Sequence, residues 1–198
     1  MRLNQIITIA LPCILLLAAA PGQPATAQKG GGWFDKAVKK VEAKFEPAEA
    51  KPGQTVTFKL IIDLNDGYHT YPTTQPDKMA SSMVNTIKFP APAGVIFVGT
   101  ITDPKDFDTK AEPELDIKEL RYSSGTAIFT RKAVVSPKAA AGATTVKLES
   151  FKLLVCDKTN CFPPKAVPVE ASLKVLDGPA VAVEKAFADE VARALAAK

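Results

Sequence analysis

Cys156 and Cys161 are the residues in this sequence best placed to do chemistry, because two thiols on one short turn can interconvert with a disulfide. Phe151-Lys152-Leu153-Leu154-Val155-Cys156 reads as a strand, Asp157-Lys158-Thr159-Asn160 as a turn, and Cys161-Phe162-Pro163-Pro164-Lys165 as the start of a return. The sulfurs then flank a four-residue hairpin loop, and they can bond across it if their Cα atoms lie within about 7 Å. Such a bond is either a structural staple or an exchange centre. As a staple it is weak, since closing a loop of about six residues contributes only about 2 kcal/mol. As an exchange centre it is well placed, because a turn-borne disulfide is open to an incoming thiolate. The neighbouring charges oppose each other: Asp157 would raise a thiol pKa and Lys158 would lower it.

Other chemistries find little support. His69 is the single histidine, and two cysteines on one hairpin without further spaced ligands do not make a zinc set. There is no G-x-S-x-G or H-E-x-x-H run, and one imidazole is a poor start for a triad. Lys29-Gly30-Gly31-Gly32 is not a phosphate loop, for no Lys-Ser/Thr follows it. The net charge of +4 is dispersed without a Lys/Arg block, which argues against nucleic acid as a partner. No cofactor is expected.

The elements around the pair begin with a targeting signal. Met1-Arg2-Leu3, an apolar run over residues 6–20 and the triplet Ala25-Thr26-Ala27 have the order of a secretory signal peptide, cleaved after Ala27. The alternative, a membrane anchor, needs roughly 20 apolar residues, and this run has about 15. Cys13 leaves with residues 1–27, so Cys156 and Cys161 remain as one pair in an oxidising compartment, periplasmic or secreted. No later stretch approaches spanning length, so stable membrane insertion is not expected.

About 170 residues suffice for one domain. Residues 28–40 read as a flexible lead; across its end, Trp33, Phe34, Val38 and Val41 could line a short helix, or residues 41–45 could already be strand. Residues 55–64 alternate apolar with polar at Val56, Phe58 and Leu60, the pattern of a strand with one buried face. Residues 82–89, 95–101, 126–135, 144–154 and 167–176 are further candidate strands. Sixteen prolines and many short β-branched runs predict an all-β antiparallel sandwich over residues 41–177. Residues 102–124 read as a long charged loop, with Phe107 between Asp106 and Asp108 either serving a function or tucked into the sandwich edge. Within residues 178–198, Val183, Phe187, Val191 and Leu195 recur at steps of four, which predicts a C-terminal amphipathic helix packed on its own domain or on a partner.

Three segments together, Cys156-Asp157-Lys158-Thr159-Asn160-Cys161-Phe162-Pro163-Pro164, Lys51-Pro52-Gly53-Gln54-Thr55-Val56 and Asp66-Gly67-Tyr68-His69-Thr70-Tyr71, resemble the N-terminal periplasmic domain of the thiol:disulfide interchange protein DsbD family. The similarity runs over residues 41–176, and the cysteine pair followed by Phe162, Pro163 and Pro164 is its most specific part. The resemblance implies an immunoglobulin-like sandwich whose cysteines take electrons from a membrane-bound relay and pass them to exported thioredoxin-like proteins. It also implies a cap loop that shields the pair, which Phe107 with Asp106 and Asp108 would supply. Tyr71 matches an aromatic position near the sulfurs, and His69 stands where members often carry another aromatic. The best-known members have one more residue between the cysteines. The family's membrane relay and thioredoxin domain are replaced here by the tail helix, so either the electron donor is in another chain or the relay role is lost.

These residues suggest a dithiol/disulfide shuttle in which Cys161 is expected to be more shielded than Cys156, with Phe107 excluding oxidants and Tyr71 packed beside the sulfurs. The competing reading is a secreted immunoglobulin-like binding or scaffold module with an inert disulfide, whose tail helix docks a partner.

Overall fold

The computed structural model describes residues 32–197; the expected signal peptide, Cys13 and the glycine-rich start of the lead lie outside the described residues. Alternation sets the frame. In β3 (Thr55–Leu64) every second side chain, from Val56 through Leu64, is buried, as a strand with one face on a core requires. It pairs antiparallel with β1 (Val38–Glu46) and β9 (Thr126–Val135), and β6 (Val95–Thr102) completes a sheet of order β1-β3-β9-β6.

Two three-stranded sheets supply the facing layer. One is β10 (Gly142–Lys147), β14 (Glu170–Val175) and β2 (Glu49–Ala50); the other is β13 (Lys165–Ala166), β11 (Ser150–Leu153) and β5 (Thr86–Lys88). Phe45, Phe58, Leu60, Ile62 and Phe129 share one core with Phe151, Leu153, Leu173 and Val175. The chain is therefore the expected all-β sandwich, antiparallel throughout its named pairings except between β14 and β2. The segment 144–154 is two strands, and of residues 82–89 only Thr86–Lys88 pairs, preceded by a 3-10 turn at Lys78–Ala80 whose Asp77 cap accepts from the Met79 N–H.

A fourth sheet, β12 (Val155–Cys156), β4 (His69–Thr70), β8 (Ile117–Ser124) and β7 (Asp108–Glu112), carries the cysteines. It has its own small apolar cluster of Tyr71, Ala80, Ile117, Leu120, Leu154 and Cys156. Residues 102–124 are thus largely a β-hairpin rather than a loop. Pro113–Leu115 forms a 3-10 turn ended by Asp116 at φ 54°, and β7 and β8 pair from Asp108↔Tyr122 to Glu112↔Ile117. Charged residues on the outer strand hide its alternation, a common protection of sheet edges.

Both ends of the described chain dock on the sandwich. Helix α1 (Trp33–Ala37) runs straight into β1, so the lead expected to reach residue 40 gives way to ordered structure by Trp33. Ala37 and Val38 are buried in the main core, and Asn65 fixes the helix end by donating from its side chain to the Lys36 carbonyl (2.8 Å) and from its backbone to the Ala37 carbonyl (2.9 Å). At the other end, a 3-10 turn at Lys185–Phe187 precedes α2 (Ala188–Ala196). Val191, with Val183, Phe187 and Leu195 beside it, covers Ile96, Val98 and Val134 on β6 and β9, so the apolar stripe packs on its own domain. Gly99, at φ 61° within an irregular stretch of β6, frees its N–H for Glu190 (2.9 Å) and its carbonyl for Arg131 (3.1 Å). Among the described residues no helix is long and apolar enough to cross a membrane.

Candidate functional site

Cys156 ends β12, paired across to His69 of β4, while Cys161 lies beyond the turn and faces Cys156 through an isolated bridge. The two are joined as a disulfide with Cα atoms 4.0 Å apart. The turn between them is organised by Asp157, whose carboxylate accepts from the backbone N–H groups of Thr159 (2.8 Å) and Asn160 (2.7 Å). Those two donors hold the carboxyl below its usual range, so Asp157 keeps its charge within the turn.

The two sulfurs live in different surroundings. Cys156 is 1 % exposed, whereas Cys161 is an exposed residue. This reverses the expected order of shielding. The cause is topological: Cys156 has β4 as a neighbour and Leu154 and Tyr71 around it, while Cys161 has left the sheet after the turn.

Tyr71 sits against the buried sulfur. Its hydroxyl donates to Cys156 Sγ at 3.0 Å and lies 3.7 Å from Cys161 Sγ. His69 Nε2 is 3.1 Å from the same hydroxyl, and the imidazole also packs on Tyr122 with ring centres 5.0 Å apart. Burial pushes the Tyr71 phenol up to about 12, and Glu112 adds to the effect; the hydroxyl therefore keeps its proton over any ordinary pH. Burial also lowers the His69 pKa, helped by Lys110 and opposed by Asp157 and Glu112. A neutral His69 carrying its proton on Nε2 donates to the phenol oxygen and leaves the single Tyr71 proton for the sulfur.

A buried polar brace holds this arrangement, and its centre, Asn85, carried no sequence signal. Asn85 is 1 % exposed; its amide nitrogen donates to the Tyr71 carbonyl (2.5 Å) and to Thr70 Oγ1 (2.9 Å), and its oxygen accepts from Leu154 N–H (2.8 Å). Thr70 Oγ1 in turn donates to the Leu154 carbonyl at 2.7 Å. Each buried polar group of the brace is paired, and the brace ties the Tyr71 strand to the residues leading into Cys156.

The sulfurs open into a hollow of about 350 Å³ that His69, Tyr71, Met83, Lys110, Glu112 and Leu115 line together with the cysteine turn. Leu115, at the tip of the β7–β8 hairpin, is half exposed there. The expected cap at Asp106, Phe107 and Asp108 is not among these lining residues. Phe107 is 42 % exposed and its ring lies under the Arg121 guanidinium at 4.8 Å, while the Asp106 carbonyl accepts from Ser123 Oγ at 3.2 Å. The register puts Asp108 opposite Tyr122, at the open end of the hairpin, so the tip near the sulfurs is built from residues 112–116 instead. Of the flanking motif, Phe162 packs between Trp33 and Tyr68, and Pro163 and Pro164 are exposed.

Among the described residues, no group of three or more His, Cys, Asp or Glu side chains is gathered as a metal centre needs. Comparison with protein-family models finds no match, and comparison with curated proteins finds no significant one.

Proposed function

We propose that the protein is an exported thiol–disulfide exchange module that carries electrons through Cys156 and Cys161 between a membrane-bound donor in another chain and thioredoxin-like client proteins. The observation that carries this reading is the asymmetry of the pair: one cysteine is an exposed residue, and the other is buried with its sulfur under a hydroxyl donor. An incoming thiolate reaches Cys161 Sγ. A sulfur–sulfur bond forms between the two proteins, the Cys161–Cys156 bond breaks, and its electron pair leaves on Cys156 Sγ, where the Tyr71 hydroxyl stabilises the new charge. The donor's second thiolate then attacks the intermolecular bond, departs as a disulfide and leaves the module as a dithiol. With a client the steps run in reverse order of roles: Cys161 attacks the client disulfide and Cys156 resolves the intermediate.

The test is to trap intermediates with a thioredoxin-like protein supplied in its disulfide form: the variant's thiolate bonds to one of its sulfurs as that disulfide breaks and the other sulfur leaves as a thiolate. Cys156→Ala, which keeps the exposed thiol, should accumulate a mixed disulfide, and Cys161→Ala should not. Equal trapping by both variants would refute the assigned order. No exchange by either, together with a potential below about −300 mV for the intact pair, would leave an inert bond on a secreted scaffold.

A further inference from the structure

The N-terminal helix reaches the cysteine pair through the segment that follows Cys161. Residues 161–164 are thinly anchored by their backbone. Pro163 and Pro164 have no N–H to give, and the bond this stretch donates is Phe162 N–H to the Val155 carbonyl at 3.0 Å. Side chains do the rest. The Phe162 ring lies flat on Trp33, with centroids 4.9 Å apart and planes 6° from parallel, and Tyr68 stands 6.3 Å away on the same ring. Lys165 places its ammonium 4.4 Å from the centre of the Phe34 ring, and Trp33 and Phe34 meet edge to face at 5.7 Å. The helix itself is tied to the core through Ala37.

We propose that α1 is a redox-setting clamp: Trp33 and Phe34 hold the Cys161 segment where its sulfur meets Cys156, and so favour the disulfide over the dithiol. Reduction replaces a covalent bond by a non-bonded contact, so the sulfurs move apart. Cys156, fixed in β12 and braced by Asn85, cannot yield; the segment carrying Cys161 can. Contacts formed fully with the bond closed and loosened with it open shift the equilibrium toward the closed state by their difference. The physical effect is a higher effective concentration of Cys161 at Cys156. The clamp's use in a relay rests on the exchange reading above, whereas its existence does not.

The experiment equilibrates the protein with oxidised and reduced dithiothreitol, so that two protein thiols become one disulfide as the oxidised reagent takes up their two electrons and two protons. A stacked pair of this kind has a worth that corresponds to about a two- to tenfold change in an equilibrium constant. Trp33→Ala combined with Phe34→Ala should lower the constant for disulfide formation by that factor, and Trp33→Phe, which keeps an aromatic face, should recover most of it. Thermal unfolding of both redox forms is measured beside it. A purely structural contact would lower the two melting temperatures equally and leave the constant unmoved; that result, or a rise in the constant, overturns the proposal. Trp33 is the single tryptophan, so its emission in the unmodified protein gives a second measurement that needs no variant. The emission should change when the pair is reduced, and identical spectra would also overturn the clamp. Because dithiothreitol needs no partner protein, a failure to trap any mixed disulfide would count against the exchange reading while leaving this equilibrium readable.

Discussion

Replacing Tyr71 by Phe removes one hydroxyl and little else, which isolates its effect on the buried sulfur. In a Cys161→Ser background Cys156 is a lone thiol, and the Tyr71 hydroxyl that lies 3.0 Å from its sulfur becomes a donor to the thiolate. A hydrogen bond to a charged group has a net worth of about 1.5–3 kcal/mol. At 1.36 kcal/mol per pKa unit, its loss should raise the Cys156 pKa by about 1 to 2 units. The burial of the sulfur is common to both proteins and cancels from the difference. The phenol, held near 12, keeps its proton through the titration, so the thiolate can be followed by its ultraviolet absorbance against pH without interference from this tyrosine. His69→Phe should produce a smaller rise, because the phenol then loses the group that directs its proton toward the sulfur. A Tyr71→Phe shift of less than about half a unit would mean that the hydroxyl points at His69 in the reduced state, and the leaving-group argument would fall.

His69 predicts a pH dependence of folding. Its pKa is lowered by burial, so between that value and about 6.5 the unfolded chain binds a proton that the folded one does not. Stability is therefore full above about pH 6.5 and declines as pH falls below it. Urea unfolding at pH 7.5 and pH 5 should show the decline, and His69→Gln should lessen it; a variant with the same slope would show that other groups cause it. Asn85→Ala leaves the Leu154 N–H without its acceptor and removes donors from Thr70 and Tyr71. At about 1–3 kcal/mol for an orphaned buried group, and about 2–4 °C per kcal/mol in a chain of this size, the melting temperature should drop by about 2–12 °C. A drop under about 2 °C would place little weight on the brace. Reducing the disulfide should lower the melting temperature by about 4–8 °C, from the roughly 2 kcal/mol of loop closure, with the far-ultraviolet circular dichroism unchanged at 25 °C. Unfolding on reduction would favour the staple.

The frame was legible where burial is one-sided. Val56, Phe58 and Leu60 announce β3 because the strand has one wet face, and residues 126–135 stand out between Gly125 and Pro137. The tail helix is legible by its four-residue step, although Val183 lies ahead of the helical turns. The site was legible as two cysteines with Tyr71 nearby, and little further. Phe107 is conspicuous in a charged run, but which residues reach the sulfurs depends on hairpin register, and register is set by pairings such as Asp108↔Tyr122 that span both strands. The exposure of the two cysteines is equally hidden. Both flank the same turn, and only the contact of β12 with β4 makes one of them an inner residue. Asn85 sits in a stretch that reads as loop, and its role appears only when Thr70, Tyr71 and Leu154 come together around it.

The placement of the bond explains why a pair that staples so little could still serve chemistry. Cys156 belongs to the small cluster with Tyr71, Leu120 and Leu154, not to the main core of Phe45, Phe58, Phe129 and Phe151. The buried half of the bond therefore belongs to a satellite of the sandwich and not to the larger apolar interior. A disulfide meant to hold the two layers together would cross that interior and close a long loop, where the entropic return is greater. Here the loop is short, one cysteine is an exposed residue, and the sulfur of the other meets a hydroxyl suited to a departing thiolate. Under the proposed exchange, a rigid scaffold around a locally reversible bond would allow repeated turnover without repeated unfolding, since the brace at Asn85 holds the Cys156 side of the turn while the Cys161 segment yields.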